Sequence, residues 1–101
     1  MDKARKTVKV PAVLMDLIPD YLANRRKEVE TLDLAIKSHD FDTIQTVGHK
    51  LKGNAGSYGF DELTRLGNIL EEAGKSRDLH TAERSLTEYA DYLNNVYVLP
   101  T

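Results

Sequence analysis

The chain has 101 residues, a formal net charge of −2, and neither cysteine nor tryptophan. This length is typical of one domain, and 41% apolar with 30% charged residues is an ordinary globular composition rather than a disordered one. The absence of cysteine excludes disulfides, thiol nucleophiles and thiolate metal sites, and the slightly acidic balance argues against binding to nucleic acid.

We expect residues 1–10 to form a flexible N-terminal segment and residues 11–101 to form one domain. No apolar run approaches the ~18 residues that a membrane span needs, and Pro11, Asp16 and Pro19 interrupt the stretch that most resembles a secretory signal. The initial methionine and the compact length favour a free-standing protein. The expected location is therefore cytoplasmic, without a membrane anchor.

Four amphipathic helices are predicted from apolar residues that recur at three-, four- and seven-residue spacings. The first begins near Pro19 and runs to about Ser38, and Asp40 is a candidate N-cap for the second. Asp61 is a candidate cap for the third helix, which Gly74 to Asp78 is expected to break. The apolar stripes consist of Ile18, Leu22, Val29, Leu32 and Ile36; Phe41, Ile44, Val47, Leu51 and Ala55; Leu63, Leu66, Ile69, Leu70 and Ala73; and Leu79, Ala82, Leu86, Tyr89, Leu93 and Val96.

No segment shows the sustained alternation of a strand. The expected fold is all-α: an antiparallel four-helix bundle with a short helical extension over residues 11–17. Each helix is too short to be stable alone, so the apolar stripes must pack against one another.

Two chemical motifs are considered and rejected. Gly74-Lys75-Ser76 ends like a phosphate-binding loop, but Ile69 stands where its first glycine is required, and no strand precedes it. A di-iron bundle needs Glu-x-x-His pairs, and none is present, so no metal site is predicted in this chain. His39 and His80 lie near predicted helix ends and are expected to be structural or to face water.

One face of the second helix carries the most concentrated signal. Gln45, His49, Lys52, Gly53 and Gly56 fall within ~100° of arc on a helical wheel, opposite the apolar residues, so His49 is predicted to point outward. A glycine inside a helix costs ~0.8–1 kcal/mol relative to alanine, so helix propensity does not account for several of them. Side chains at these positions would crowd the imidazole, which indicates a histidine kept accessible to a large partner.

A second interpretation of the glycines remains open. They could instead allow another helix of the same bundle to pack closely. Gly48 fits this second interpretation best, because it lies nearer the apolar arc.

The chemistry of an exposed imidazole favours phosphoryl transfer. An imidazole with its ordinary pKa of ~6.5 is largely neutral and nucleophilic near pH 7, so His49 needs no dedicated base. Lys52 can offset the charge of a phosphoryl group, and Gln45 can hydrogen-bond its oxygens or orient the ring. Lys50 lies further round the helix and is a solvated charge or a docking contact.

These residues carry a family resemblance. The run His49-Lys50-Leu51-Lys52-Gly53, with Gly59 six residues later and Leu63, Leu66 and Leu70-Glu71 beyond, resembles the histidine phosphotransfer (HPt) domain family over residues 41–72. The resemblance implies that His49 is the phosphoryl acceptor, Lys52 the charge stabiliser and Gly53 the residue that leaves clearance. Gly59 matches the turn that follows. Gly56 departs from the family pattern, which more often has serine or alanine there.

The resemblance also implies a function. His49 would take a phosphoryl group from an aspartyl phosphate on a receiver domain and pass it to another receiver aspartate, with Lys50, Gly53 and Gly56 as docking contacts. A hybrid sensor histidine kinase is a further candidate partner, and a monomer is expected. The chain has no nucleotide-binding motif and no acidic cluster for Mg²⁺, so we expect no bound cofactor, no autonomous enzymatic activity, and Mg²⁺ on the partner receiver.

Two other functions remain open at this point. One is a non-catalytic helical module that binds a receiver domain or another partner without being phosphorylated. The other, less favoured, is a helical metal-binding protein.

Overall fold

The computed structural model describes residues 6–101, which form a four-helix bundle with one small pair of strands. The predicted all-α bundle is confirmed, and a 3-10 helix over Ala12–Leu17 occupies the predicted N-terminal extension. The elements are β1 (Lys6–Val10), α1 (Ile18–Lys37), α2 (Phe41–Ala55), a 3-10 turn (Gly56–Tyr58), α3 (Asp61–Ser76), α4 (Leu79–Asn95) and β2 (Val96–Pro100).

Aspartate caps begin two of the helices. Asp40 and Asp78 precede α2 and α4, and each carboxylate accepts a hydrogen bond of 3.1 Å from the backbone N–H three residues later. The predicted cap at Asp40 is thereby confirmed. The predicted cap at Asp61 is wrong, because Phe60 holds the N-cap position of α3 without a side-chain bond. Asp61 is instead the first helical residue, where a negative charge suits the helix dipole.

Two predicted helix ends also need correction. Gly74 does not break α3, which continues to Ser76 and ends at Arg77 in the left-handed region with φ 56°. Gly74 is buried inside the helix, so tertiary packing outweighs its low helix propensity. Val96, predicted on the stripe of the fourth helix, is extended and begins β2.

The strand pair is a feature that the sequence analysis missed. β1 and β2 pair in parallel, with Lys6 beside Val96 and Val10 beside Pro100. Residues 6–10 of the expected flexible segment are therefore a strand, and Val10 is fully buried; residues 1–5 of that segment lie outside the described residues. The missed signal is short: within Lys6–Val10 the two valines face inward, and Lys6, Thr7 and Lys9 are exposed.

The core is formed by the apolar stripes of all four helices. Ile44, Leu51 and Ala55 on α2 are fully buried, as the helical wheel predicts. The largest fully buried side chains are Tyr89, Phe60, Leu32, Ile44, Leu51, Leu63, Leu66, Leu70 and Val10. The α2 helix therefore has one buried side and one exposed side.

A polar network fixes the end of α2 against α1. The Tyr21 hydroxyl donates a hydrogen bond of 2.6 Å to Asn54 Oδ1, and Arg25 Nη1 donates one of 3.1 Å to the same oxygen. The Tyr89 hydroxyl on α4 donates to Glu28 Oε1 on α1 at 2.7 Å. The two bonds to Asn54 join α2 to α1 and restrict how α2 can rotate or slide, while the Tyr89 bond holds α4 to α1.

Glycines bring the backbones of α2 and α3 into contact. A Cβ atom placed on Gly48 would lie 2.3 Å from the backbone nitrogen of Glu71, and one on Gly67 would lie 2.5 Å from that of Lys52. A Cβ atom on Gly74 would likewise lie 2.5 Å from a backbone nitrogen of α2. No side chain fits at these three positions. The packing interpretation is thus confirmed for Gly48.

We expect Gly48→Ala to lower the free energy of unfolding by about 1–3 kcal/mol, the usual cost of overpacking. The nearest atoms are backbone atoms, which cannot rotate away. Gly53→Ala is the matched control in the same helix, because a Cβ atom there meets nothing within 4 Å. It should raise the free energy of unfolding by about 0.8–1 kcal/mol. Urea unfolding followed by circular dichroism measures both variants, and equal effects would contradict the close approach.

Candidate functional site

His49 lies in the middle of α2 on its exposed side. Its side chain is 70% exposed, so the structure shows the outward orientation that the helical wheel predicts. The ring is nevertheless anchored: Nδ1 lies 2.7 Å from Glu71 Oε2 on the neighbouring helix α3. The imidazole is therefore both accessible and fixed in orientation.

Glu71 is the buried carboxylate of the site. Its side chain is only 7% exposed, and it accepts hydrogen bonds from His49 Nδ1 through one oxygen and from the Lys52 ammonium through the other. The contact of the two backbones at Gly48 explains this arrangement, because it places the start of the Glu71 side chain directly against α2. One carboxylate thus holds both candidate functional side chains of α2, His49 and Lys52.

The hydrogen bonds to Glu71 also set its protonation. The bonds from Lys52 and then His49 hold the pKa of the Glu71 carboxyl below its usual range, although partial desolvation acts in the opposite direction. An ionised carboxylate can only accept, so the proton of this hydrogen bond belongs to His49 Nδ1. In a neutral imidazole the other nitrogen, Nε2, then carries the free lone pair.

The role of Glu71 is the main site feature that sequence reasoning missed. Leu70-Glu71 formed part of the family resemblance, but no function was assigned to the glutamate. A signal was present: Glu71 follows Gly67 by four residues and precedes Gly74 by three, so the three share one stripe of α3. A charged residue on the stripe that touches α2 needs a partner on α2.

The two predicted phosphate-stabilising residues differ in their placement. Lys52 reaches the site, with its side chain 38% exposed and its ammonium bound to Glu71 beside His49. Gln45 is partly buried, and its backbone packs against Gly74. Among the hydrogen bonds within residues 6–101, none joins the Gln45 side chain to His49. The structure therefore links Lys52 to the anchored ring through Glu71, whereas no hydrogen bond within the described residues links Gln45 to it.

The surface next to His49 is open. Gly53 and Gly56 are both exposed; a Cβ atom on Gly53 would meet nothing within 4 Å, and one on Gly56 would make only an ordinary contact of 3.7 Å with Thr64. Gly59 follows with φ 86°, as its predicted turn requires. Lys50 is exposed at the edge of a groove of about 560 Å³ between α1 and α2.

A family comparison agrees with this arrangement. The family model of the Hpt domain matches residues 16–97, a range that includes all four helices and the anchored histidine. The chain belongs to the Hpt domain family. This Hpt domain has a phosphotransfer-related role in two-component signalling, and Hpt domains interact with receiver domains in phosphorelays. Searches of curated proteins and of solved structures returned no significant match.

Within residues 6–101, no group of three or more His, Cys, Asp or Glu residues is arranged to hold a metal ion. None of the helices in this range is long and apolar enough to span a bilayer.

The lowered pKa of Glu71 predicts how the Hpt domain responds to acid. A carboxyl whose pKa is lowered by folding contributes stability above its ordinary pKa of 4.5, and this contribution is lost as the pH falls through the native value. The free energy of unfolding should therefore drop as the pH falls below 4.5. Glu71→Gln cannot titrate at this position and should show a shallower drop.

Urea unfolding between neutral and acidic pH measures this difference. Glu72→Gln is the matched control, because Glu72 is exposed on the next position of α3. Its profile should follow that of the unsubstituted protein. Parallel profiles for Glu71→Gln and the unsubstituted protein would show that the carboxylate is not stabilised by its two donors.

Proposed function

We propose that this Hpt domain is a phosphorelay intermediate. His49 Nε2 accepts a phosphoryl group from the aspartyl phosphate of a receiver domain and passes it to the aspartate of another receiver domain. The observation that carries this proposal is the hydrogen bond of 2.7 Å between Nδ1 and the buried Glu71 on a ring whose side chain is 70% exposed. It supports a nucleophilic Nε2 without any change of protonation before attack.

The transfer step follows from this geometry. The Nε2 lone pair attacks phosphorus, an N–P bond forms, and the bond from phosphorus to the receiver aspartate breaks, so the aspartate leaves as a carboxylate. The proton on Nδ1 stays in place, and the ring acquires positive charge. The Glu71 carboxylate stabilises that charge through its hydrogen bond. In the reverse direction, a receiver carboxylate attacks phosphorus and the electron pair returns to Nε2.

Lys52 supplies the second charge of the proposed site. Its ammonium lies beside the ring and can offset the negative charge of the transferring phosphoryl group while Glu71 holds it in place. Gln45 is proposed only as a further hydrogen-bond donor to the phosphoryl oxygens, more distant than Lys52. The protein has no autonomous catalytic role in this proposal, and Mg²⁺ comes with the acidic pocket of the partner receiver.

The open glycine surface is proposed as the docking contact. Phosphoryl transfer needs the receiver aspartate to approach Nε2 in line, so the partner backbone must come close to α2. Gly53 and Gly56 leave that space free, and Lys50 lies beside it. A module that only binds a receiver would use the same surface, so the two functions are separated by removing the nucleophile.

The first experiment tests the nucleophile. After incubation with a radiolabelled phosphorylated receiver domain, the unsubstituted protein should carry acid-labile, alkali-stable label, and His49→Gln should carry none. His80→Gln is the matched control, because His80 is exposed on α4. Equal labelling of His49→Gln would contradict the assignment. If His49→Gln kept receiver binding and complemented the cellular function, the non-catalytic module would be the better description.

The second experiment tests clearance at Gly53. Leucine favours helices and its Cβ atom would meet nothing within 4 Å, so Gly53→Leu should not lower the free energy of unfolding. It should nevertheless slow phosphoryl transfer about tenfold or more, the effect of a barrier raised by about 1.4 kcal/mol. Rapid-quench kinetics measure the rate, with Arg84→Leu on the exposed side of α4 as control. An unchanged rate would remove Gly53 from the docking surface.

A further inference from the structure

Within residues 6–101, no strand pairs with the outer edge of β1, which lies outside the proposed phosphotransfer site. Thr101 donates its N–H to the carbonyl of Val10 at 2.9 Å, and its own carbonyl accepts from Ala12 N–H at 3.1 Å. In a parallel pair the direction of the backbone groups alternates along each strand. The N–H and C=O groups of Thr7 and Lys9 therefore point away from β2.

A groove of about 610 Å³ runs along this edge. Residues 6–9 of β1 line it together with Gly59, Tyr92 and the first residues of α3, Asp61 and Glu62. A Cβ atom on Gly59 would lie 3.3 Å from the Lys9 carbonyl, so the turn closes the groove at that end. The backbone groups of Thr7 and the N–H of Lys9 face the open part.

Tyr92 adds an unused polar group to the groove. The residue is only 4% exposed, and its buried hydroxyl has no hydrogen-bond partner within the described residues. Burial raises the pKa of Tyr92 to about 12, so the phenol keeps its proton and can donate. A buried hydroxyl without a partner costs free energy. Because this oxygen is closed off from solvent, a carbonyl oxygen of a bound segment recovers that cost only if the wall of the groove shifts to admit it.

The charges along the edge favour an acidic partner. Lys6 and Lys9 are exposed, and no ion pair within residues 6–101 includes either ammonium. Across the groove, Glu62 is bound by Arg65 at 2.9 Å, and Asp61 stands at the positive end of the α3 dipole. Pairing with β1 of a second copy would bring two more lysines to the same edge, which is unfavourable.

We propose that the groove beside β1 binds an extended acidic segment of a partner protein. The segment adds a third strand to the sheet, with backbone hydrogen bonds to Thr7 and Lys9. Because side chains alternate along a strand, its carboxylates lie on the outer face beside Lys9, and Lys6 at the start of β1 adds positive charge at that end of the groove. This site shares no residue with the His49 site. Its failure would therefore leave the proposed phosphotransfer function untouched.

The test uses a fluorescein-labelled synthetic peptide of alternating glutamate and valine, with an alternating lysine and valine peptide as its control. Fluorescence anisotropy with the full chain should show binding of the acidic peptide alone, weakening as salt is added. Thr7→Pro removes one outward N–H at an edge where proline is tolerated, and should weaken binding about tenfold.

Two further variants keep the test decisive if Thr7→Pro does not fold. Tyr92→Phe should weaken binding severalfold while thermal stability stays the same or rises. Lys6→Glu combined with Lys9→Glu should reverse the preference between the two peptides. Binding of neither peptide, equal binding of both, or unchanged affinity in the folded variants would overturn the proposal.

Discussion

The site depends on the direct contact between the backbones of α2 and α3. Packed helices normally lie about 8–10 Å apart because side chains separate them. Here Gly48, Gly67 and Gly74 remove those side chains, and an added Cβ atom at any of them would overlap with the other helix. The short side chain of Glu71 then reaches α2, where it meets His49 and Lys52. The orientation of His49, the proposed phosphoryl acceptor, is thus set by backbone packing.

A single buried carboxylate, Glu71, links the two candidate functional side chains, His49 and Lys52. Glu71 is unfavourable without partners in this position, because a desolvated charge must be paired and hydrogen-bonded. Each of its two oxygens accepts a hydrogen bond from one donor. If His49 or Lys52 moved away, Glu71 would lose one of its two partners, and its bond to the other would change as well. The ring and the ammonium are therefore held as one unit, and the charge that would develop in the proposed transfer falls between groups that are already in place.

Features that depend on residues close together in the sequence could be predicted from the sequence alone. Helical periodicity predicted the buried and exposed sides of α2, and the outward orientation of His49 followed from them. The Asp40 cap was also predictable, since a capping bond spans only three residues. The packing of Gly74 and the hydrogen bonds of Glu71 could not be predicted, because both depend on which residue of α2 lies opposite. β1 and β2 were missed for the same reason: each strand is short and finds its partner at the far end of the chain.

That distance between the strands has a consequence for the order of folding. Lys6 pairs with Val96, so the strand pair closes a loop that contains nearly the whole chain. Contacts so distant in sequence carry a large loop-closure entropy and form late, whereas helices joined by short turns form early. We therefore expect the bundle to bring residues 6–10 and 96–100 together before the strands pair, and the strands to separate first during partial opening. Because His49, Lys52 and Glu71 belong to α2 and α3, we expect the proposed phosphoryl-acceptor site to be assembled before the sheet closes and to persist after it opens.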